Sequence, residues 1–142
     1  EILKDSRMGT FGGLALIILL GVKISALAGS DLPLSILFLA PVIGRGTMVA
    51  AAYGIHAPSQ GMANLFVQSL DRSTVSRTVL IAFIPALIAG LTGVFAVAVA
   101  YMGALAFRRF AESRLNMVNG DVLGAMCELS EALVLVTASF TW

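Results

Sequence analysis

Long uncharged runs divided by short polar breaks set the pattern of this chain. Phe11 to Gly29 is a 19-residue run interrupted only by Lys23, and Leu34 to Tyr53 is a 20-residue run interrupted only by Arg45, with Pro41 inside it. Each is long enough to cross a hydrocarbon core as α-helix, which takes ~20 residues. Between them stands Ser30-Asp31-Leu32-Pro33, a tight turn favoured by Asp31 and Pro33. A polar stretch from His56 to Arg77 follows, whose middle, Gly61 to Val67, is apolar enough to lie in a membrane interface.

Thr78 to Phe107 then gives 30 uncharged residues. As one helix it would be ~45 Å long, against a hydrocarbon thickness of ~30 Å. Gly90-Leu91-Thr92-Gly93 offers a hairpin turn instead, at the cost of two short arms. Charge placement favours the hairpin. It puts Lys4 and Arg7, Arg72 and Arg77, and Arg108, Arg109 and Arg114 on one side, which the positive-inside rule makes the cytoplasmic one. A last run, Val122 to Trp142, is entered through Asn119-Gly120-Asp121 and carries Glu128 and Glu131. The pattern predicts an all-α, polytopic transmembrane bundle of about five spans, or four if residues 78–107 form one long helix.

Composition strengthens this. Apolar residues are 58% of the 142, charged residues 12%, and mean hydropathy is +0.96. Soluble domains carry about 25% charge, so the solvent for most of this exterior is lipid. The expectation is a single membrane-embedded domain over residues 1–142. A net charge of +1, with arginines scattered among apolar spans, argues against a nucleic-acid partner. The single cysteine, Cys127, cannot form an internal disulfide and reads as a small hydrophobe. His56 stands without a second ligand nearby, and Gly9 to Gly13 lacks the lysine and spacing of a phosphate-binding loop.

Charge inside the apolar runs changes the picture again. Lys23, Arg45, Glu128 and Glu131 each disfavour insertion by ~2.5–3.5 kcal/mol unless paired or hydrated. At 1.5 Å per residue, Arg45 lies ~13 Å from the Tyr53 end of its span and Lys23 ~18 Å from Phe11, while Glu128 and Glu131 lie ~10 and ~15 Å beyond Asp121. Two bases and two acids thus share one layer. Asp121, Glu128 and Glu131 fall within an arc of about 80° on one helix, with Gly120, Gly124 and Ala125 beside them as sites of close helix approach. Two readings fit: ion pairs that lock helices, or a polar cavity in which the acids hold a divalent cation and the bases hold phosphate. Magnesium takes hard oxygen ligands, and Lys and Arg supply the donors a diphosphate needs.

Two stretches carry a resemblance. Glu1-Ile2-Leu3-Lys4-Asp5-Ser6-Arg7-Met8-Gly9-Thr10-Phe11-Gly12 resembles the E-I-M-K-D-S-R-x-G-x-x-G segment of cobalamin synthases (adenosylcobinamide-GDP ribazoletransferases). Gly120-Asp121-Val122-Leu123-Gly124-Ala125-Met126-Cys127-Glu128-Leu129-Ser130-Glu131 is similar to that family's G-D-x-L-G-A-x-x-E-L-x-E, and Gly61, Asn64 and Phe66 match its G-x-x-N-x-F loop. Lys23 and Arg45 fall where the family also has a lysine and an arginine in consecutive spans. The chain departs from the pattern at Asn116, Met117 and Asn119, where the family has two glycines and a threonine.

The resemblance implies an enzyme of the inner (cytoplasmic) membrane in coenzyme B12 nucleotide-loop assembly. Such an enzyme joins adenosylcobinamide-GDP to α-ribazole or its 5′-phosphate and releases GMP, with Mg²⁺ as cofactor. It implies Asp121, Glu128 and Glu131 as metal ligands, these three with Arg45 as catalytic residues, and Asp5, Arg7, Lys23 and Asn64 as substrate-binding residues. It also implies an acidic stretch upstream of Glu1, without which the chain is expected to be inactive. Homo-oligomers, or assemblies with other corrinoid-pathway enzymes, are left open. The alternatives are another membrane phosphotransferase using a nucleotide-diphosphate-linked alcohol, or a small-solute transporter subunit.

Overall fold

A computed structural model describes residues 10–55, 62–115 and 118–141. Among them there are six helices and no strand: α1 (Thr10–Ala28), α2 (Leu34–Ala52), α3 (Met62–Gln68), α4 (Arg72–Ile88), α5 (Gly90–Leu115) and α6 (Gly120–Ser139). Helices dominate for a physical reason: in lipid, a spanning segment must satisfy its backbone polar groups within itself. Four of them, α1, α2, α5 and α6, are long and apolar enough to cross a membrane. The third of the five expected spans, α4, has 17 residues and contains Pro85.

The long apolar stretch is a hairpin. Helix α4 ends at Ile88, and α5 starts at Gly90, whose φ of 69° is a left-handed conformation that a residue with a Cβ adopts only at a cost. The break falls at Ala89–Gly90, at the start of the turn expected from Gly90-Leu91-Thr92-Gly93. Val79 and Phe83 of α4 line a groove with Val94, Val97, Ala98 and Tyr101 of α5, so the two helices run antiparallel. The arms are not short. Helix α4 begins back at Arg72, and α5 runs through Arg108, Arg109 and Arg114, a region expected to be loop. Polar flanks continue both helices beyond their uncharged cores.

Sequence chemistry also sets the helix starts. Asp71 caps α4, its Oδ1 accepting from the Thr74 amide at 2.8 Å, and Asn119 caps α6, its Oδ1 accepting from the Val122 amide at 3.0 Å. The short α3 occupies the stretch expected at the interface, Gly61 to Val67, displaced by one residue at each end.

Helices α2 and α6 form the centre. Helix α6 packs against α1, α2 and α5, and α2 also packs against α4 and α5. Helix α1 buries a single residue, Ala26, whereas α2 buries nine. Most of the rest of α1, including Phe11, Ile17, Ile18 and Ile24, faces outward, as suits a lipid-facing helix. Two apolar layers fill the bundle. One joins Ile36, Leu39 and Ile43 of α2 with Ala82 and Ala86 of α4, Ala96, Val97 and Ala100 of α5, and Val134 and Leu135 of α6. The alanines let the helix backbones approach closely. The other lies at the opposite end and joins Ala51, Ala52 and Ile55 with Val118, Leu123 and Met126, against Phe66 of α3 and Phe107 of α5.

Candidate functional site: a charged cluster on three helices

Lys23 of α1, Arg45 of α2 and Glu128 and Glu131 of α6 converge between the two apolar layers. The Lys23 ammonium donates to Glu128 Oε2 at 2.6 Å and to Glu131 Oε2 at 2.8 Å. Arg45 Nη1 stands 3.5 Å from Glu131 Oε1 and also donates to Cys127 Sγ. The Cys127 thiol lies 3.6 Å from Glu131 Oε1. Glu131 is therefore the hub, with one oxygen toward α1 and the other toward α2. The helix period explains the gathering on α6, because positions three and four apart share a face, and Cys127, Glu128 and Glu131 stand at those spacings.

Burial divides the four charges. Side chains of Lys23 and Glu131 are 13% and 16% exposed, whereas those of Glu128 and Arg45 are 42% and 64% exposed. Lys23 and Glu131 form the inner, committed pair. Glu128 and Arg45 face outward. Arg45 also borders a groove of about 350 Å³ between α2 and α4, lined by Pro41, Val42, Gly46, Thr78 and Ile81.

The other expected site residues are distributed differently. Asp121 stands in the first turn of α6, where its charge suits the helix dipole, and its Oδ2 accepts from Asn119 Nδ2 at 3.3 Å. It lies seven residues, ~10 Å, from Glu128 along the helix axis and takes no part in the ion pairs of the cluster. Asn64 sits on α3 with its Oδ1 accepting from Gln68 Nε2 at 3.0 Å. Asp5 and Arg7 lie outside the described residues.

A metal fits this donor set in part. Glu128 and Glu131 offer the hard oxygens Mg²⁺ prefers, and one oxygen of each converges on a single point. That point holds the Lys23 ammonium. Among the described residues, no three His, Cys, Asp or Glu side chains gather as they would around a metal.

Two participants escape a reading of the sequence. Cys127, read as a small hydrophobe, is buried but touches both Arg45 and Glu131, and its i, i+4 spacing to Glu131 was the available signal. Close helix approach, expected at Gly120, Gly124 and Ala125, occurs elsewhere. A Cβ built at Gly120 or Gly124 meets nothing within 4 Å among the described residues, and Ala125 is exposed. The tight glycine at the cluster is Gly44 of α2, where a Cβ would stand 2.6 Å from Glu131 Cγ. Facing helices set that contact, and neither helix shows it alone.

A multi-pass helical membrane protein with opposite charges buried between its helices is the class defined by these features. Within that class the chain belongs to the cobalamin-5-phosphate synthase family, whose model matches residues 1–139. It is similar to the adenosylcobinamide-GDP ribazoletransferase of Roseiflexus sp. (strain RS-1), 35% identical over 99% of this chain and 54% of the relative. Those of Syntrophobacter fumaroxidans and Escherichia coli (strain K12 / DH10B) are 36% and 34% identical, over 98% and 96% of this chain and 58% of each relative. The chain thus spans little more than half the length of these relatives. No solved structure matches it.

Proposed function

We propose that this chain supplies the charged half of a phosphoryl-transfer site, in an enzyme that joins adenosylcobinamide-GDP to α-ribazole or its 5′-phosphate and releases GMP. The carrying observation is the meeting of Lys23, Arg45, Glu128 and Glu131 from three separate helices. Both signs of charge at one place are what such a reaction needs, since its catalysis is mostly positioning and charge neutralisation.

The site works from the cytoplasmic face of the inner membrane, the side of Arg72, Arg108, Arg109 and Arg114. The exposed Arg45 guanidinium binds oxygens of the donor diphosphate, in the paired geometry that suits a planar fork. Glu128 and Asp121 are the carboxylates that would hold Mg²⁺, which would supply charge neutralisation on the same diphosphate. The 5′-hydroxyl of the acceptor attacks the cobinamide-bearing phosphorus. A new P–O bond forms, the bond to the GMP oxygen breaks, and the hydroxyl proton passes to Glu128, the more accessible of the two paired carboxylates. Glu131 and Lys23 hold the layer in register. Asn64, Asp5 and Arg7 are assigned to substrate contact, as the family resemblance implies.

The apolar layer beyond the cluster supports an enzyme over a solute pathway. Ile36, Leu39, Val134 and Leu135 close the bundle there with apolar side chains, where a solute pathway would need polar ones.

The deciding experiment uses membranes containing the protein at its full natural length and measures corrinoid- and Mg²⁺-dependent release of GMP. Glu128→Gln and Arg45→Ala should each reduce turnover by at least about 10²-fold, the scale of losing one electrostatic contact to the transition state. Near-normal rates in both variants would remove this cluster from the chemistry.

A further inference from the structure

The geometry assigns Gly44 a positioning role: the missing side chain at this residue sets where the Glu131 carboxylate stands, and through it where Lys23 and Arg45 are held. A Cβ here would lie 2.6 Å from Glu131 Cγ, 2.9 Å from Oε1 and 3.0 Å from the Cys127 carbonyl oxygen. The first two are shorter than a carbon tolerates without movement, and the crowded Cγ lies in the middle of the Glu131 side chain, not at its free end. An alanine at 44 therefore turns the whole carboxylate away from α2.

Both oxygens of Glu131 would move together. One is 2.8 Å from the Lys23 ammonium, and the other faces Arg45 at 3.5 Å and the Cys127 thiol at 3.6 Å. Displacing them undoes the link between α1 and α2 at one stroke. Helix α2, in which the buried Thr47 hydroxyl donates to the Gly44 carbonyl at 3.0 Å, is packed against α4 and α5 as well as α6, so it cannot readily shift to make room. Gly46, across Arg45, has looser neighbours: a Cβ there meets the Tyr101 hydroxyl at 3.2 Å and Ala82 Cβ at 3.4 Å. The gap at Gly44 is therefore specific to the α6 side, where the charges are.

Cys127 is a built-in reporter, because its buried sulfur touches Arg45 and Glu131. The test measures N-ethylmaleimide alkylation of Cys127 in membranes, read at the Cys127 peptide by mass spectrometry, together with GMP release. Gly44→Ala should raise the alkylation rate about fivefold as the sulfur loses its neighbours. It should also lower kcat by about 10²-fold with little change in KM, as expected for misplaced charge. The same substitution in a Glu131→Ala background should add nothing to either reading. General loosening of the bundle would instead raise alkylation in both backgrounds. Equal effects in the two backgrounds, or wild-type alkylation in Gly44→Ala, would overturn the role. Only the kinetic arm rests on the proposed transferase reaction. If the unaltered protein releases no GMP, that reaction falls while alkylation still decides Gly44.

Discussion

Two carboxylates share one ammonium at Lys23, and this sets the energetics at residue scale. Removing one partner of a buried ion pair leaves an uncompensated charge and typically costs 3–5 kcal/mol. Lys23→Met, at a pair that is only partly buried, should therefore lower unfolding stability in detergent micelles by a part of that amount. Lys23→Met with Glu131→Gln restores the charge balance and should recover a large part of the loss. Additive losses in the double variant would show that the pair is not coupled. Arg45 behaves in the opposite way. Its side chain is 64% exposed and its carboxylate partner is at the limit of contact, so Arg45→Ala should change stability by under about 1 kcal/mol while abolishing turnover. That separation distinguishes a ligand-facing charge from a structural one.

Capping and turns decide the helices. The Asp71 carboxylate is held below its ordinary value of 3.8, first by a hydrogen bond from the Thr74 side chain and then by the Thr74 amide. A depressed folded pKa means that the cap contributes stability above the unfolded pKa and loses it as pH falls through the lower, folded value. An NMR titration of Asp71 should show a midpoint below 3.8 that rises in Thr74→Val, where the side-chain bond is lost. An unchanged midpoint would assign the shift to the amide alone. The hairpin depends on Gly90. With φ at 69°, Gly90→Val should cost about 1–2 kcal/mol from the left-handed backbone, measured as a fall in unfolding stability. Helix type and approximate span were legible in the run lengths. Helix ends were less so, since Arg72 and Arg108 to Arg114 continue helices whose apolar cores stop earlier.

Four helices are long and apolar enough to cross a membrane, and a fifth crossing by α4 would put the α1–α2 and α4–α5 turns on one face. In a Cys127→Ser background, single cysteines at Ser30 and Leu91 should be labelled from the face opposite Ser113 by a membrane-impermeant maleimide. Labelling of Ser30 and Leu91 from opposite faces would mean that α4 enters and leaves on the same side. The layered interior has a matching logic. An apolar stratum on either side of the charges lets them exist in the bundle, because low-dielectric surroundings strengthen each pairing and penalise any charge left alone.

Run length, charge content and the spacing of Asp121, Glu128 and Glu131 determined by themselves that this chain is a helical membrane bundle with charges at one depth. These are local properties, because a helix in lipid must satisfy its own backbone and its period places side chains on a face. Which charge meets which depended on facing helices. That Lys23 takes both glutamates, that Asp121 stands outside the cluster, that Cys127 touches Arg45 and that Gly44 makes room for Glu131 follow from how α1, α2 and α6 approach one another. Approach distance is a property of two surfaces together, and so only the tertiary structure could decide it.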